Sequence, residues 1–250
     1  MTTLFISDLH LDASRPDITS AFERFMAQVA PTSSALYILG DFFEVWIGDD
    51  DRSDFNQHIM ALLSEYSRSG KALSLMVGNR DFLLGDEFAQ HCGATLLSDP
   101  TLIDLYGTPT LLMHGDSLCT QDVEYMAFRQ QARSPLWQQQ LLAQSIEARR
   151  AIAKQLRETS KSMNSLKAED IMDVTASEVV REMEQHQAQR LIHGHTHRPN
   201  RHPLTLSSGH AERIVLGDWH DSLWWLEARP EGDLVQHQRP IQQQNLLQLA

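Results

Sequence analysis

The stretch TLFISDLH, residues 3–10, is an apolar run that ends in an aspartate and a histidine. Its first five residues, Thr3–Ser7, predict a short buried strand, because a brief apolar run bounded by polar residues is typical of one. Two later runs repeat this arrangement: Ala35–Leu39 leads into Gly-Asp, and Ala72–Val77 leads into Gly-Asn-Arg-Asp. Polar clusters therefore follow three predicted strands.

Helical spacing separates these predicted strands. Apolar residues recur every three or four positions in Ile18–Val29, and Asp54–Arg68 has the same pattern. Strands that alternate with helices predict a layered α/β (α+β) domain. Ligands of open α/β sheets bind beyond the carboxyl ends of the strands, so the polar clusters are placed where a site is expected.

Length and composition narrow the class of protein. The chain has 250 residues, of which 42% are hydrophobic, and its formal net charge is −12. The length predicts one domain with an insertion, and the acidity argues against a nucleic-acid partner. The N-terminus lacks the basic and apolar regions of a signal peptide, and no apolar stretch approaches the ~20 residues of a membrane span. With two cysteines interpreted as free thiols, we expect a cytoplasmic protein with no obligate protein partner.

The composition changes after the predicted hairpin Thr101–Met113. From Gln121 to about His186 the chain contains no glycine, and between Gln121 and Asp170 basic residues outnumber acidic ones. We therefore expect a basic helical insertion at residues 121–186 within a core formed by residues 1–120 and 187–250. The apolar runs from Arg190 onward predict further strands, expected to form a second sheet packed on the first.

Seven side chains in five separated clusters are candidate ligands. They all follow predicted apolar strands, at positions that a fold can hold rigidly. The candidates are Asp8 and His10, Asp41, Asn79, His114, and His195 with His197. Taken singly, each cluster could be an ordinary turn or a core histidine, but five such clusters together favour a site.

The residue types of these candidates indicate the kind of ion. Carboxylate, amide and imidazole groups without cysteine suit Mn²⁺, Fe²⁺ or Zn²⁺ better than an all-oxygen Mg²⁺ or Ca²⁺ cage. Seven groups exceed what one ion needs, whereas two ions that share a carboxylate would use them all. Two ions ~3.5–4 Å apart can clamp a phosphoryl group, which predicts a phosphoesterase.

The ordered series D-x-H, G-D-x-x-E, G-N-x-D, H-G-D and G-H-x-H resembles the calcineurin-like metallophosphoesterases over nearly the whole chain outside the insertion. The resemblance implies a four-layer β-sandwich flanked by helices and two divalent ions, for which Mn²⁺ is the expected metal. It assigns the first ion to Asp8, His10, Asp41 and His197. It assigns the second ion to Asp41, Asn79, His114 and His195, with Asp41 as the bridge.

Arg80 departs from the family pattern, because many members carry a histidine after the asparagine. An arginine cannot readily donate a proton, so it favours a fixed cation beside the phosphate and a good leaving group, such as a phosphate in an anhydride. Asn79, Arg80 and His195 are the predicted catalytic residues. The motifs HGDSLCTQD and HGHTHRP also resemble the family branch that acts on UDP-linked diacylated glucosamine in the lipid A pathway.

This closer resemblance implies attack of water on the α-phosphate of a nucleotide-linked lipid at the cytoplasmic face of the inner membrane. It implies that the insertion is a lid over acyl chains. The implied substrate-binding residues are Asn79, Arg80, Asp122, Ser160, Asn164, Lys167 and His195. Three alternatives stay open: another dinuclear-metal enzyme such as a cyclic-nucleotide or nucleotide pyrophosphatase, a scaffold without activity, and an insertion that is only a solvated face.

Several other polar residues receive plainer interpretations. Asp49–Asp51 is expected to be a solvated acidic loop, and Asp116 and Asp218 are expected to shape turns. Glu44 is expected to accept a hydrogen bond from one of the ligand histidines, which would fix the orientation of that ring.

Overall fold

Two β-sheets pack face to face in the computed structural model, which describes residues 2–164 and 173–248, without the side chains of Lys161, Met163 and Asn164. The strands are β1 (Thr2–Ile6), β2 (Ser33–Leu39), β3 (Ala72–Met76), β4 (Thr95–Leu97), β5 (Thr101–Leu105), β6 (Thr108–Met113), β7 (Arg190–His193), β8 (Asn200–Leu206), β9 (Gly209–Val215), β10 (Ser222–Ala228) and β11 (Leu234–Pro240). The helices are α1 (Pro16–Gln28), α2 (Asp54–Arg68), α3 (Asp86–Cys92), α4 (Val123–Ala132), α5 (Pro135–Leu142), α6 (Ile146–Asn164) and α7 (Ala176–Gln185).

Each sheet contains a group of neighbouring parallel strands. Among the described residues, the first sheet has the order β11-β10-β1-β2-β3-β4, in which β1 to β4 are parallel. The second sheet has the order β5-β6-β7-β9-β8, in which β6, β7 and β9 are parallel. Parallel strands place their carboxyl ends at one edge, so each sheet presents several loops on the same side.

Three apolar clusters separate four layers. The largest lies between helices α1 to α3 and the first sheet, and a second lies between the two sheets around Phe5, Leu112 and Ile192. The third packs Val179 and Met183 of α7 against the second sheet. The predicted fold class, a layered sandwich flanked by helices, is confirmed.

The expectation that all strands after Arg190 join the second sheet is wrong for β10 and β11. Strand β10 pairs antiparallel with β1, with Thr3 opposite Ala228, and β11 pairs with β10. The reason is that β10 is apolar on both faces: Trp225 packs under the helices, whereas Leu226 packs between the sheets. A strand of that kind needs cover on both sides, which the position beside β1 provides.

The acidic loop Asp49–Asp51 is only partly solvated: the Asp50 side chain is 60% exposed, but all three carboxylates accept hydrogen bonds from other segments. Asp49 accepts hydrogen bonds from the Trp46 indole at 2.9 Å and from the Phe88 backbone N–H at 2.9 Å, so it caps α3. Asp50 accepts from Arg149 at 2.7 Å and Asp51 accepts from Arg150 at 2.8 Å. The last two contacts fasten α6 to the first sheet's loops.

None of the helices that the structure describes combines the length and the apolar composition that a membrane crossing needs.

Candidate metal centre

The loops that carry the candidate ligands meet where the two sheets present their carboxyl ends. In the first sheet, Asp8 and His10 follow β1, Asp41 follows β2 and Asn79 follows β3. In the second sheet, the ligand candidates follow the neighbouring strands β6 and β7. They are His114, His195 and His197. Five separated pieces of sequence therefore converge because the strands before them are packed side by side.

The backbone is strained at most of these positions. Seven non-glycine residues in the described part of the chain have a positive φ, and five of them are predicted ligands. Those five are Asp8 (55°), His10 (49°), Asp41 (49°), His195 (67°) and His197 (54°). A left-handed backbone at a residue with a side chain costs roughly 1–3 kcal/mol and tends to occur at functional sites. Aspartate and histidine adopt this conformation more often than most residues with a side chain, and here it is concentrated at the predicted ligands.

The first group of ligand atoms comes from Asp8, His10 and His197, whose donor atoms all lie within 4.8 Å of one another. His197 Nε2 is 3.4 Å from Asp8 Oδ1, and the Nε2 atoms of His10 and His197 are 3.3 Å apart. Asp41 Oδ2 lies 3.9 Å from His10 Nε2, so Asp41 reaches this group as well.

The second group comes from Asp41, His114 and His195. His114 Nε2 is 3.6 Å from Asp41 Oδ1. The amide oxygen of Asn79 lies 2.9 Å from both His114 Nε2 and His195 Nδ1. Because one oxygen of Asp41 faces each group, Asp41 is the residue placed to bridge two ions.

The donor set fits divalent ions. His114 Nδ1 donates a hydrogen bond to the Leu39 carbonyl at 2.9 Å, which leaves the Nε2 lone pair of the neutral ring facing Asp41 and Asn79. Lone-pair atoms of imidazole, carboxylate and amide groups that converge in this way repel one another unless a cation or protons lie between them.

Neighbouring groups fix the orientation of the histidine rings. Glu44 Oε2 lies 3.1 Å from His10 Nδ1, within ion-pair distance, although the contact does not have the geometry of the hydrogen bond expected of Glu44. Asp218, expected only to shape a turn, also lies 3.6 Å from His197 Nδ1. A carboxylate behind an imidazole sets its tautomer and makes it a better ligand.

The charges and the burial of the site raise the pKa values of two of its histidines and lower that of a third. Although burial lowers the pKa of His114, the carboxylates of Asp41 and Asp116 raise it to about 9. The pKa of His197 is likewise raised to about 9 against the effect of burial, mainly through Asp8. Burial and the charge of His114 lower the pKa of His195 to about 4. Protons therefore balance the buried carboxylates in the absence of ions, and divalent ions would replace those protons.

The sequence interpretation assigned no role to Asp81, the last residue of GNRD. It is fully buried, and its carboxylate accepts hydrogen bonds from the backbone N–H groups of Phe42 at 2.7 Å and Gly78 at 2.6 Å. A third bond from Phe43 is 3.3 Å long. Asp81 thus joins the loop of Asp41 to the loop of Asn79.

Asp81→Ala is expected to destabilise the fold by roughly 2–4 kcal/mol, because three buried backbone donors lose their acceptor. The midpoint of thermal unfolding, measured in the presence of a chelator, should fall by several degrees. Asp104→Ala is the matched control, since Asp104 accepts a backbone bond from Gly107 at 2.6 Å in an exposed turn. Equal midpoints for the two variants would contradict the assignment.

The sequence pattern assigns no role to His193 either, although it shares the segment HGHTH with two candidate ligands. It is fully buried, and burial together with the charge of Arg213 lowers its pKa to about 3. Its Nδ1 lies 2.8 Å from the Gly194 carbonyl, and Arg213 donates to its Nε2 at 3.2 Å. This histidine is therefore a neutral structural residue.

The substrate-binding candidates of the insertion have different placements. Asp122 is buried and caps α4, where its side chain accepts from the Tyr125 backbone N–H at 3.1 Å. Ser160 lines a cavity together with Asn79 and Arg80. The side chain of Asn164 and the whole of Lys167 lie outside the described residues.

The cavity lies between the core and helices α4 to α6. It encloses about 220 Å³, and about 1080 Å³ when the space at its open mouth is included. Its walls are largely apolar, whereas Asn79, Arg80 and Glu44 lie at the end next to the metal centre. The apolar lining comprises Val45, Trp46, Ile47, Phe82, Leu83, Phe128, Leu141, Ile152, Ala153 and Leu156.

Arg80 projects its guanidinium group toward this cavity. Its Nε atom is buried, and no group in the described part of the chain accepts a hydrogen bond from it. A buried cationic donor without an acceptor is costly unless a ligand supplies one. An anionic oxygen of a ligand bound beside the site of the two metal ions would supply the missing acceptor.

The sequence is similar to those of known proteins. The sequence profile of the calcineurin-like phosphoesterases matches residues 1–199. The chain belongs to this family of hydrolases.

Three relatives are more specific. The UDP-2,3-diacylglucosamine hydrolase of Cellvibrio japonicus is 59% identical over 232 residues, covering 93% of this chain and 97% of that protein. The protein of the same name from Marinobacter nauticus is 54% identical, covering 96% of this chain and 99% of its own. The one from Pseudomonas aeruginosa is 51% identical, with 93% and 97% covered.

Proposed function

We propose that this chain hydrolyses the pyrophosphate bond of UDP-2,3-diacylglucosamine, giving UMP and 2,3-diacylglucosamine 1-phosphate in lipid A biosynthesis. The observation that carries the proposal is the continuity between the apolar cavity and the candidate metal centre, which meet at Asn79 and Arg80. A pyrophosphate attached to acyl chains needs a polar and an apolar environment side by side. The relatives named UDP-2,3-diacylglucosamine hydrolase support the same substrate.

We assign the acyl chains to the cavity and the lid to the insertion. In this proposal residues 121–186 interrupt a core of residues 1–120 and 187–250, and helices α4 to α6 form one wall of the cavity. Helix α7 lies within the insertion but packs on the second sheet. Arg157 of α6 meets Glu44 of the core at 2.5 Å, so an ion pair spans the cavity near the metal centre.

The ions are assigned to the two groups described above, and Mn²⁺ is the proposed metal. Asp8, His10, Asp41 and His197 would hold one ion. Asp41, Asn79, His114 and His195 would hold the other. Bound there, divalent ions would polarise the phosphoryl oxygens and lower the pKa of a water molecule.

The protein's own side chains account for the choice of leaving group. Arg80 provides a fixed positive charge beside the diphosphate, which stabilises the charge that develops on its oxygens. Because a guanidinium stays protonated, Arg80 does not supply a proton to the leaving group. A sugar 1-phosphate can leave without one, whereas an alkoxide cannot leave readily. Asp122, Ser160, Asn164 and Lys167 complete the proposed substrate contacts, with Asn79, Arg80 and His195.

The proposal is tested by activity on the UDP-lipid beside p-nitrophenyl phosphate and a cyclic nucleotide, across Mn²⁺, Mg²⁺, Zn²⁺ and Co²⁺. We expect the UDP-lipid to be the best substrate and Mn²⁺ the best activator. In ¹⁸O-water the label should enter UMP, because water attacks the α-phosphorus and the bond from that phosphorus to the bridging oxygen breaks. Label in the lipid phosphate would reject the assigned attack, and faster turnover of a soluble ester would reject the substrate.

We also propose that the protein binds peripherally at the cytoplasmic face of the inner membrane, where the substrate resides. Three exposed apolar residues of the insertion support this: Val123 (73% exposed), Leu136 (64%) and Leu142 (42%). Basic side chains of the same segment would add attraction to anionic lipids. Sedimentation with vesicles of phosphatidylglycerol should exceed that with phosphatidylcholine alone, and equal binding would contradict the electrostatic part.

A further inference from the structure

One face of α4 is directed at the metal centre. Tyr125 and Arg129 of α4 and Arg133, the residue directly after α4, are spaced by four residues, so they lie in one row. Together the three contact the three loops that carry Asn79, His114 and His195. Helix α4 is also the first helix of the insertion, so the row joins the proposed lid to the core.

The loop of His114 is held through Asp116. The carboxylate of Asp116 is fully buried, and one of its oxygens accepts from Tyr125 Oη at 2.5 Å and from Arg129 Nε at 2.8 Å. Asp116 lies two residues after His114. The turn that follows this ligand is therefore tied to the helix by two bonds to a charged acceptor.

The loops of His195 and Asn79 are contacted directly. The Tyr125 ring stacks on the His195 ring, with centroids 6.0 Å apart and planes 29° from parallel. Arg133 donates to the Gly78 carbonyl at 3.0 Å, and Gly78 immediately precedes Asn79. Three ligands from three strand ends are thus supported by one helix.

The contacts of α4 with these loops depend on the positive charges of Arg129 and Arg133, which balance the charges of buried carboxylates. Arg129 Nη2 lies 3.7 Å from Asp99 Oδ2, and Arg133 Nη2 lies 3.8 Å from Asp116 Oδ2. Two buried carboxylates therefore face two guanidinium groups. Removal of one arginine leaves two buried carboxylates facing a single guanidinium group, which is unfavourable.

We propose that Tyr125, Arg129 and Arg133 are positioning residues for the second metal ion, so that ion binding and the order of α4 stabilise each other. The inference rests on the proposed assignment of Asn79, His114 and His195 to that ion. By linkage, if the ordered α4 increases the affinity for the ion, binding of the ion stabilises the ordered α4 by the same free energy. The lid's first helix is then more stable when the second ion is bound than when it is absent.

The test is a titration of Mn²⁺ alone into the chelator-treated full chain, followed by calorimetry and by electron paramagnetic resonance of the coupled ion pair. Arg129→Gln and Tyr125→Phe should weaken one of two binding steps by roughly 10–100-fold and leave the other unchanged. Arg129→Lys, which keeps the charge, should recover part of the loss. Arg150→Gln is the matched control, because Arg150 joins α6 to Asp51 away from the ligands, and it should leave both steps unchanged.

Hydrogen exchange gives a second readout, which compares the wild type with one of these variants. Mn²⁺ should slow the exchange of the α4 amides in the wild type, and should slow it much less in Tyr125→Phe. Two bound ions with no slowing in α4, or two unchanged binding steps in both variants, would overturn the inference and leave the metal centre standing. A wild-type protein that binds no divalent ion would overturn the metal centre itself, and this inference with it.

Discussion

Asp41→Ala is expected to lower kcat/KM by at least about 1000-fold, because the variant loses a ligand of both ions at once. The two oxygens of Asp41 lie 3.9 Å from His10 Nε2 and 3.6 Å from His114 Nε2, so Asp41 faces both groups of ligands. Metal analysis of the purified variant should show less than one ion per chain. A rate assay with added Mn²⁺ then measures whether saturating metal restores turnover.

Asp17→Ala is a suitable control for this experiment, since Asp17 is exposed on α1 and pairs with Arg15 at 2.8 Å. It should keep both the metal content and the rate of the wild type. If Asp41→Ala retained two ions and near-normal turnover, the bridging assignment would be wrong, whatever the role of the other six ligands.

Arg80→Ala is expected to lower kcat by roughly 100–1000-fold while metal content stays unchanged. The side chain contributes charge rather than metal coordination, and its Nε has no acceptor among the described residues. Its backbone N–H does donate to Asp41 Oδ1 at 2.8 Å, but a side-chain substitution leaves that bond in place. Turnover and bound metal should be measured on the same preparation.

Arg80→Lys separates charge from geometry. Lysine keeps the positive charge but cannot form the two parallel bonds of a guanidinium, so we expect partial recovery of kcat. A loss of metal in Arg80→Ala would instead make Arg80 a structural residue of the Asp41 loop.

The sequence was sufficient for the parts of the molecule that depend on local pattern. The strands that begin at Thr2, Ser33 and Ala72 were predicted from apolar runs, and the positions of the ligand candidates followed from where those runs end. Parallel strands bring their ends together whatever the intervening sequence, so the convergence of Asp8, Asp41 and Asn79 was predictable.

The remaining features depend on partners that are distant in the sequence. The pairing of β10 with β1 and the bonds of Asp81 to the Asp41 loop join residues that no local pattern connects. The same is true of Asp116, whose partners Tyr125 and Arg129 lie on a helix beyond the next turn. The apolar residues on both faces of β10 indicate from the sequence that this strand is covered on both sides. The sequence contains no comparable signal that an aspartate is buried.

The loop Asp49–Asp51 has a consequence for how this protein can change. Its three successive carboxylates accept hydrogen bonds from three different partners: the start of α3, Arg149 and Arg150. Losing or gaining one residue here would shift every carboxylate to its neighbour's partner. Substitution of one side chain in this segment therefore removes one contact, whereas a change in the segment's length disturbs all three. Insertions and deletions should be tolerated less well here than single substitutions.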